Sequence, residues 1–365
     1  MKKLVNVAVL LGAALLVSCG QDGATLPMGD KSKMDTLSYA VGANIATGVN
    51  YQMSDIPFDV ATVCKGLEQA ATGKSKVEHE KAVESLRDYF MNKRDSLAEA
   101  VAEKRAAADS ARLAQGDSTR VEYPEADEAM FETEKQRDEL SYALGVDLGT
   151  NLVGSKMPLQ VYWVTKGISD VFAKQPQMQE MEVMQYLQKY FTVTVPAQNA
   201  EASAEWLQKM EKKSGVEKTE SGLLYKVVEM GDETVRAIND QDEVTVHYTG
   251  RLRTGEVFDS SIFENLSKED QEARKMYNPA FVEGQNTPAT FALNRVIKGW
   301  TEGMKLIGKG GKIILYIPSE LAYGQNGIPR GPIGPNEALE FEVELLDVEP
   351  YVAPTVEPTE EEAAE

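Results

Sequence analysis

The chain has 365 residues, enough for two or three domains with cores of their own, and its 42% hydrophobic and 26% charged residues fit a soluble globular protein. A formal net charge of −20 repels a phosphate backbone, so nucleic acid is excluded as an expected partner. With two histidines, two cysteines and no Cys/His cluster, the sequence calls for no metal and no cofactor.

In chain order, residues 1–18 read as a leader: "MKK" is a positive n-region, and Leu4 to Val17 form an apolar run short of a comfortable transmembrane helix. The run ends in "LVSC" and resembles the bacterial lipoprotein box, which implies lipidation of Cys19 and a membrane anchor there. Cys64 is then the remaining thiol, so no internal disulfide is expected. Residues 19–32 read as a flexible tether.

A repeat follows. "DTLSYAVG" (35–42) returns as "DELSYALG" (138–145), "KGLEQA" (65–70) as "KGISDV" (166–171), and "LRDYF" (86–90) as "LQKYF" (187–191). Leu37, Val41 and Ile45, like Leu140, Leu144, Leu148 and Leu152, stand four apart, which predicts an apolar helical stripe in each copy with Asp35 and Asp138 as N-caps. Each copy reads as three short helices, too small to hide its own stripes.

The first unit is expected over 33–114, ending in a long helix in which Val83, Leu86, Phe90, Leu97 and Val101 take heptad-like steps. "QGDSTRVEYPEADEA" (115–129) marks a linker, placed at 115–132; the second unit spans 133–198, and a charged connecting helix 199–216. From Glu217 the period changes to that of strands. In "EVTVHYTGRL" Val244, Val246 and Tyr248 alternate with Thr245, His247 and Thr249, and "LEFEVELL" alternates as cleanly. Val296, Ile297, Trp300 and Met304 fit a short helix, and residues 351–365 read as an acidic disordered tail.

Four blocks within 217–350, "VTVHYTGRLRTGEVFDSS" (244–261), "RVIKGWTEGM" (295–304), "IPSELAYGQNG" (317–327) and "ALEFEVELLDV" (338–348), together resemble the FKBP-type peptidyl-prolyl cis-trans isomerases. The resemblance implies an α+β chain: two tandem all-α units followed by an antiparallel sheet wrapped around a short helix over an apolar pocket. It implies Trp300 as the pocket floor and Tyr248, Phe258, Asp259 and Tyr323 as the other catalytic positions. Val296, Ile297, Phe291, Ile333 and Phe341 would be substrate-binding. Tyr323 would offer its hydroxyl to a substrate carbonyl and Ile297 its backbone N–H.

This sequence departs from the family's pattern in three places. "PATF" leaves Phe291 but puts Ala289 where eukaryotic members carry a second phenylalanine, and "IGP" puts Gly334 in place of a proline beside Ile333. The segment "IFENLSKEDQEARKMYNPAFVEGQN" (262–286) is a long insertion that removes the arginine usually paired with the Asp259 position, leaving Arg274 as a substitute whose place the sequence does not fix. Asp259 either touches the reaction or orders the "FDSS" turn. His247 reads as a hydrogen-bonded sheet residue, and "GKGGK" (308–312) as a turn.

"GVEKTESGLLYKVV" (215–228) and the two "LSYALG"-type starts are similar to the macrophage-infectivity-potentiator-like members, whose single helical unit pairs with that of a second chain. Here the copies are expected to pair within one chain as a pseudo-dimer, or in trans as a homodimer. The expected function is a lipid-anchored, extracytoplasmic folding catalyst and chaperone in the cell envelope, acting on proline-containing unfolded or nascent exported proteins. The absence of Asp directly after Cys19 favours the periplasmic face of the outer membrane, with surface display the other choice. The alternative is a non-catalytic lipoprotein that uses an FKBP-like domain for peptide docking.

Overall fold

A computed structural model describes residues 25–277, 282–329 and 331–352. The expected leader (1–18), Cys19 and residues 353–365 of the expected tail lie outside the described residues. The chain divides between Thr192 and Val193 into two compact units.

The first unit holds α1 (Thr36–Gln52), α2 (Val60–Ala71), α3 (His79–Asp88), α4 (Arg94–Ala114), α5 (Glu134–Gly154), α6 (Val161–Phe172) and α7 (Glu180–Lys189). Asp35 caps α1, accepting from the Ser38 N–H at 2.7 Å. Asp138 does not cap α5. That helix starts one turn earlier because Thr133 accepts from the Gln136 N–H at 3.1 Å, while Gln136 Oε1 accepts from the Glu132 N–H at 2.7 Å. The long helix expected across 83–114 is interrupted by a wide π turn at Tyr89–Lys93, and the second copy carries the same turn at Tyr190–Thr194.

The repeated motif forms the contact between the copies. Helix α1 packs on α6 and α2 on α5, so each copy's first helix lies on the other copy's second. Ser38 Oγ accepts from the Gln160 N–H at 2.8 Å, and Ser141 Oγ accepts from the Asp59 N–H at 2.9 Å. The Tyr39 hydroxyl accepts from the Gln177 N–H at 2.6 Å, and that of Tyr142 from the Lys76 N–H at 3.2 Å. Gly42 lies against the Val164 backbone and Gly145 against that of Val63, so close that a Cβ at either would stand 2.0 Å and 2.1 Å from a carbonyl oxygen. Backbones meeting at this distance bury α1 and α5 on nearly every side around the small residues. The apolar stripe of the sequence widens accordingly into an all-round core with Ile45, Leu67, Leu144, Leu148 and Ile168 at its centre.

The second unit opens with α8 (Val195–Glu211), which follows the second π turn without a loop. The junction expected at 198/199 therefore falls inside a helix, since the alanines, glutamates and lysines after Pro196 favour helix without a break. Its last turns pack Trp206 and Met210 on Leu224 and Tyr316, with the two rings 5.6 Å apart.

The sheet has seven antiparallel strands: β1 (Glu217–Lys218), β2 (Leu224–Glu229), β3 (Glu243–Leu252), β4 (Val257–Ser260), β5 (Ala289–Ala292), β6 (Lys312–Ile317) and β7 (Leu339–Glu349). Their order is β1-β2-β6-β7-β3-β4, with β5 also paired to β3. A short helix α10 (Lys298–Gly303) packs on β6, and α9 (Lys268–Tyr277) stands within the insertion. Val244, Val246, Leu315, Leu339 and Leu345 are fully buried beneath α10. In β3 and most of β7 these side chains alternate with polar ones, which fixes the face those strands turn inward, while in β6 Leu315 stands between Ile314 and Tyr316.

Candidate active site

A cavity of about 770 Å³ opens on this core, lined by Tyr248, Phe258, Asp259, Phe291, Val296, Ile297, Trp300, Tyr323 and Phe341. Strand β3 brings Tyr248, β4 Phe258 and Asp259, β5 Phe291, and β7 Phe341, while α10 and the turn before it bring Trp300, Val296 and Ile297. Trp300 is the floor, 4% exposed. Tyr248, Phe291 and Phe341 stand nearly perpendicular around it, at ring separations of 5.4, 5.7 and 5.2 Å. Such edge-to-face pairs add roughly 0.5–1.5 kcal/mol each beyond the area they bury, so the floor is held rigidly. Gly250 of β3 makes room for the wall, because a Cβ there would meet the rings of Phe258 and Phe341 at 2.7 Å.

At the rim the Tyr248 hydroxyl donates to Asp259 Oδ2 at 2.5 Å, and Arg274 Nη2 donates to Asp259 Oδ1 at 2.6 Å. The arginine comes from α9, so the insertion supplies the partner that the local sequence lacks. Burial first, then the neighbouring Asp259 charge, holds the Tyr248 phenol far above the ordinary tyrosine range. Burial and the same carboxylate raise Tyr323 too. Both phenols therefore remain neutral hydrogen-bond donors at physiological pH. Ile297 precedes α10 with φ −62° and ψ 149°, so its N–H cannot find a partner within the helix.

Nine of the ten sequence-derived site residues line this cavity; Ile333 does not. It is 2% exposed within the core and its carbonyl accepts from the Ile328 N–H at 2.8 Å. His247 Nδ1 lies 3.1 Å from Ser261 Oγ on the sheet's other face. Arg295, Lys298, Glu320 and Ala322 also line the cavity. Sequence reasoning passed over them because a charged surface residue and an alanine carry no distinguishing pattern. Among the described residues no group of His, Cys, Asp and Glu could hold a metal, and no helix is long and apolar enough to cross a membrane.

Aromatic and aliphatic side chains make up most of the cavity wall, with Asp259, Arg295, Lys298 and Glu320 also in its lining. The pattern of "FKBP-type peptidyl-prolyl cis-trans isomerase" matches residues 234–346, and that of "Domain amino terminal to FKBP-type peptidyl-prolyl isomerase" matches twice, at 34–120 and 137–227. The chain is 36% identical over 239 residues to the FKBP-type peptidyl-prolyl cis-trans isomerase FkpA of Escherichia coli strain K12, spanning 61% of this chain and 78% of that one. It is 37% identical over 224 residues to the peptidyl-prolyl cis-trans isomerase Mip of Coxiella burnetii, 58% of this chain and 87% of that one. It is 31% identical over 223 residues to the outer membrane protein MIP of Legionella longbeachae, 58% and 85%. The chain belongs to the FKBP-type peptidyl-prolyl cis-trans isomerases, with the family's amino-terminal domain present in two copies.

Proposed function

We propose that the cavity over Trp300 is where the X–Pro bond turns, and that the chain works as a lipid-anchored folding catalyst of the cell envelope. The observation that carries this reading is the aromatic box itself: a Trp300 floor with three rings set edge-on around it.

The X–Pro amide is held planar by resonance behind a barrier of about 18–20 kcal/mol. As the bond twists, the nitrogen becomes pyramidal, conjugation is lost and the carbonyl becomes less dipolar. An apolar cavity stabilises that state relative to the planar one, and each 1.4 kcal/mol of difference is worth about tenfold in rate. The proline ring rests on Trp300 while the carbonyl side rotates. Tyr323 and the Ile297 N–H orient the chain by hydrogen bonds to substrate carbonyls. The Asp259 charge is answered by Arg274 and Tyr248.

The paired helical unit is the substrate-holding part of this reading, with unfolded or nascent exported proteins as clients. Cys19 carries the lipid, and the Legionella relative, named as an outer membrane protein, supports the envelope assignment. Isomerisation of an X–Pro tetrapeptide by the full chain, beside Trp300→Leu and Tyr248→Phe, tests the site. Undiminished rates in Trp300→Leu would remove the cavity from the mechanism. Loss of lipid labelling and of membrane association in Cys19→Ser tests the anchor.

A further inference from the structure

We propose that the insertion builds a second, side-chain subsite next to the catalytic cavity, and that it receives a lysine or arginine flanking the substrate proline. The inference rests on the cavity over Trp300 being the site of isomerisation. A separate hollow of about 300 Å³ lies between α9 and β4. Phe258 and Asp259 line both this hollow and the cavity, so a peptide whose proline sits on Trp300 has a neighbouring side chain within reach of it.

The lining selects the occupant. Leu266, Ala273, the Phe258 ring and the Tyr277 ring present apolar surface to the stem of a side chain. Two carboxylates and one guanidinium complete the wall. Asp259 and Arg274 neutralise one another at 2.6 Å. The remaining carboxylate, Asp270, accepts from the uncharged Ser267 hydroxyl at 2.8 Å and pairs with no cation among the described residues. Asp270 is thus the one carboxylate of the lining without an ion pair among the described residues, a negative charge beside an apolar wall. A long aliphatic stem with a cationic head matches both, since lysine and arginine lay their methylenes on apolar surface and keep the charge at its edge. A glutamate there would face Asp270, and a leucine would leave the carboxylate unanswered.

The experiment uses the full chain and two tetrapeptide series, Ala-Xaa-Pro-Phe and Ala-Ala-Pro-Xaa, with leucine, lysine or glutamate at Xaa. In at least one series kcat/KM for lysine should exceed that for leucine by about two- to fivefold, the range of a partly exposed ion pair, with glutamate below both. Asp270→Asn should bring the lysine-to-leucine ratio close to one. Glu205→Gln, the same charge change on α8 outside both hollows, should leave the ratio unchanged. No lysine preference in either series, or an equal loss of preference in Glu205→Gln, would overturn the subsite. Trp300→Leu on the leucine peptide separates the two levels. Its inactivity keeps the catalytic reading when the subsite fails, and its full activity removes both.

Discussion

Gly42→Ala asks whether the crossing of the two helical copies is as close as the backbone places it. An added Cβ would stand 2.0 Å from the Val164 carbonyl oxygen and 2.8 Å from the carbonyl carbon, where real contacts begin near 3.0 Å. The obstacle is backbone, so no side chain can swing aside, and α1 and α6 must part by about 1 Å, a gap that forfeits a quarter to a half of the dispersion well for atoms along the crossing. Overpacking of this kind typically costs about 1–3 kcal/mol. Against it stands the helix preference of alanine over glycine, about 1 kcal/mol in the opposite direction. Taking the upper end for a rigid obstacle leaves a net loss of about 2 kcal/mol. For a unit of this size that is a fall of about 4–8 °C in the helical transition. Far-UV circular dichroism on the full chain follows that transition, and tetrapeptide isomerisation checks that the cavity of the second unit is untouched. Gly145→Ala, 2.1 Å from the Val63 oxygen, should behave alike. The sign decides the matter: a helical transition that rises in Gly42→Ala, as propensity alone demands, refutes the close crossing.

Trp300→Leu should lower kcat/KM on an X–Pro tetrapeptide at least about tenfold and, as a large-to-small change in the core, cost about 3 kcal/mol in stability by denaturant titration. Arg274→Gln should change stability by less than about 1 kcal/mol, because both members of its pair with Asp259 are partly exposed, yet reduce catalysis several-fold; an unchanged rate would show that Asp259 needs no partner. Burial raises Tyr89 to about 12 and lifts Tyr248 as well, so the folded state holds their protons more tightly than the unfolded one. Stability from these groups is complete below the ordinary tyrosine value near 10 and is lost as pH rises through it towards the folded value. Titrating the unfolding midpoint between pH 8 and pH 12 should show a downward limb that is shallower in Tyr89→Phe.

How much of this was legible in the sequence depends on whether a residue's neighbour is local. Alternation in "LEFEVELL" and "VTVHYT" carried the strands, since a strand's facing follows from period two alone. The blocks that resemble the isomerase family carried the cavity walls, including Trp300 between the glycines of α10. Ile333 stands in the core rather than in the cavity lining, a matter of packing rather than pattern. Arg274 was legible as a substitute partner for Asp259 but not in its placement: it reaches Asp259 from fifteen residues away through a helix whose own composition shows only a charged surface. The cap at Thr133 was missed because Asp138 offered an equally good one a turn later, and local signals do not rank two competent caps. The repeated "LSYALG" and the pairing of its copies were legible, but the atoms that make the pairing were not. Its serine, tyrosine and glycine act on the other copy, and a single copy gives no sign of that.

Those reciprocal contacts have a consequence for how the helical unit depends on concentration. Ser38 and Ser141 exchange equivalent hydrogen bonds with the opposite copy, as Tyr39 and Tyr142 do, so each copy's surface is already answered within the chain. A tethered partner acts at an effective concentration in the millimolar range, far above that of separate chains in solution. Were the same surfaces satisfied between chains, a hundredfold increase in protein would add about 2.7 kcal/mol to the folded assembly and raise the helical transition by about 5–10 °C. With the copies paired in one chain, the midpoint should be the same at 1 µM and at 100 µM. Calorimetry at the two concentrations makes the comparison, with sedimentation velocity beside it. A midpoint that climbs with concentration, together with a compact dimer at low micromolar protein, would show that the repeats pair in trans.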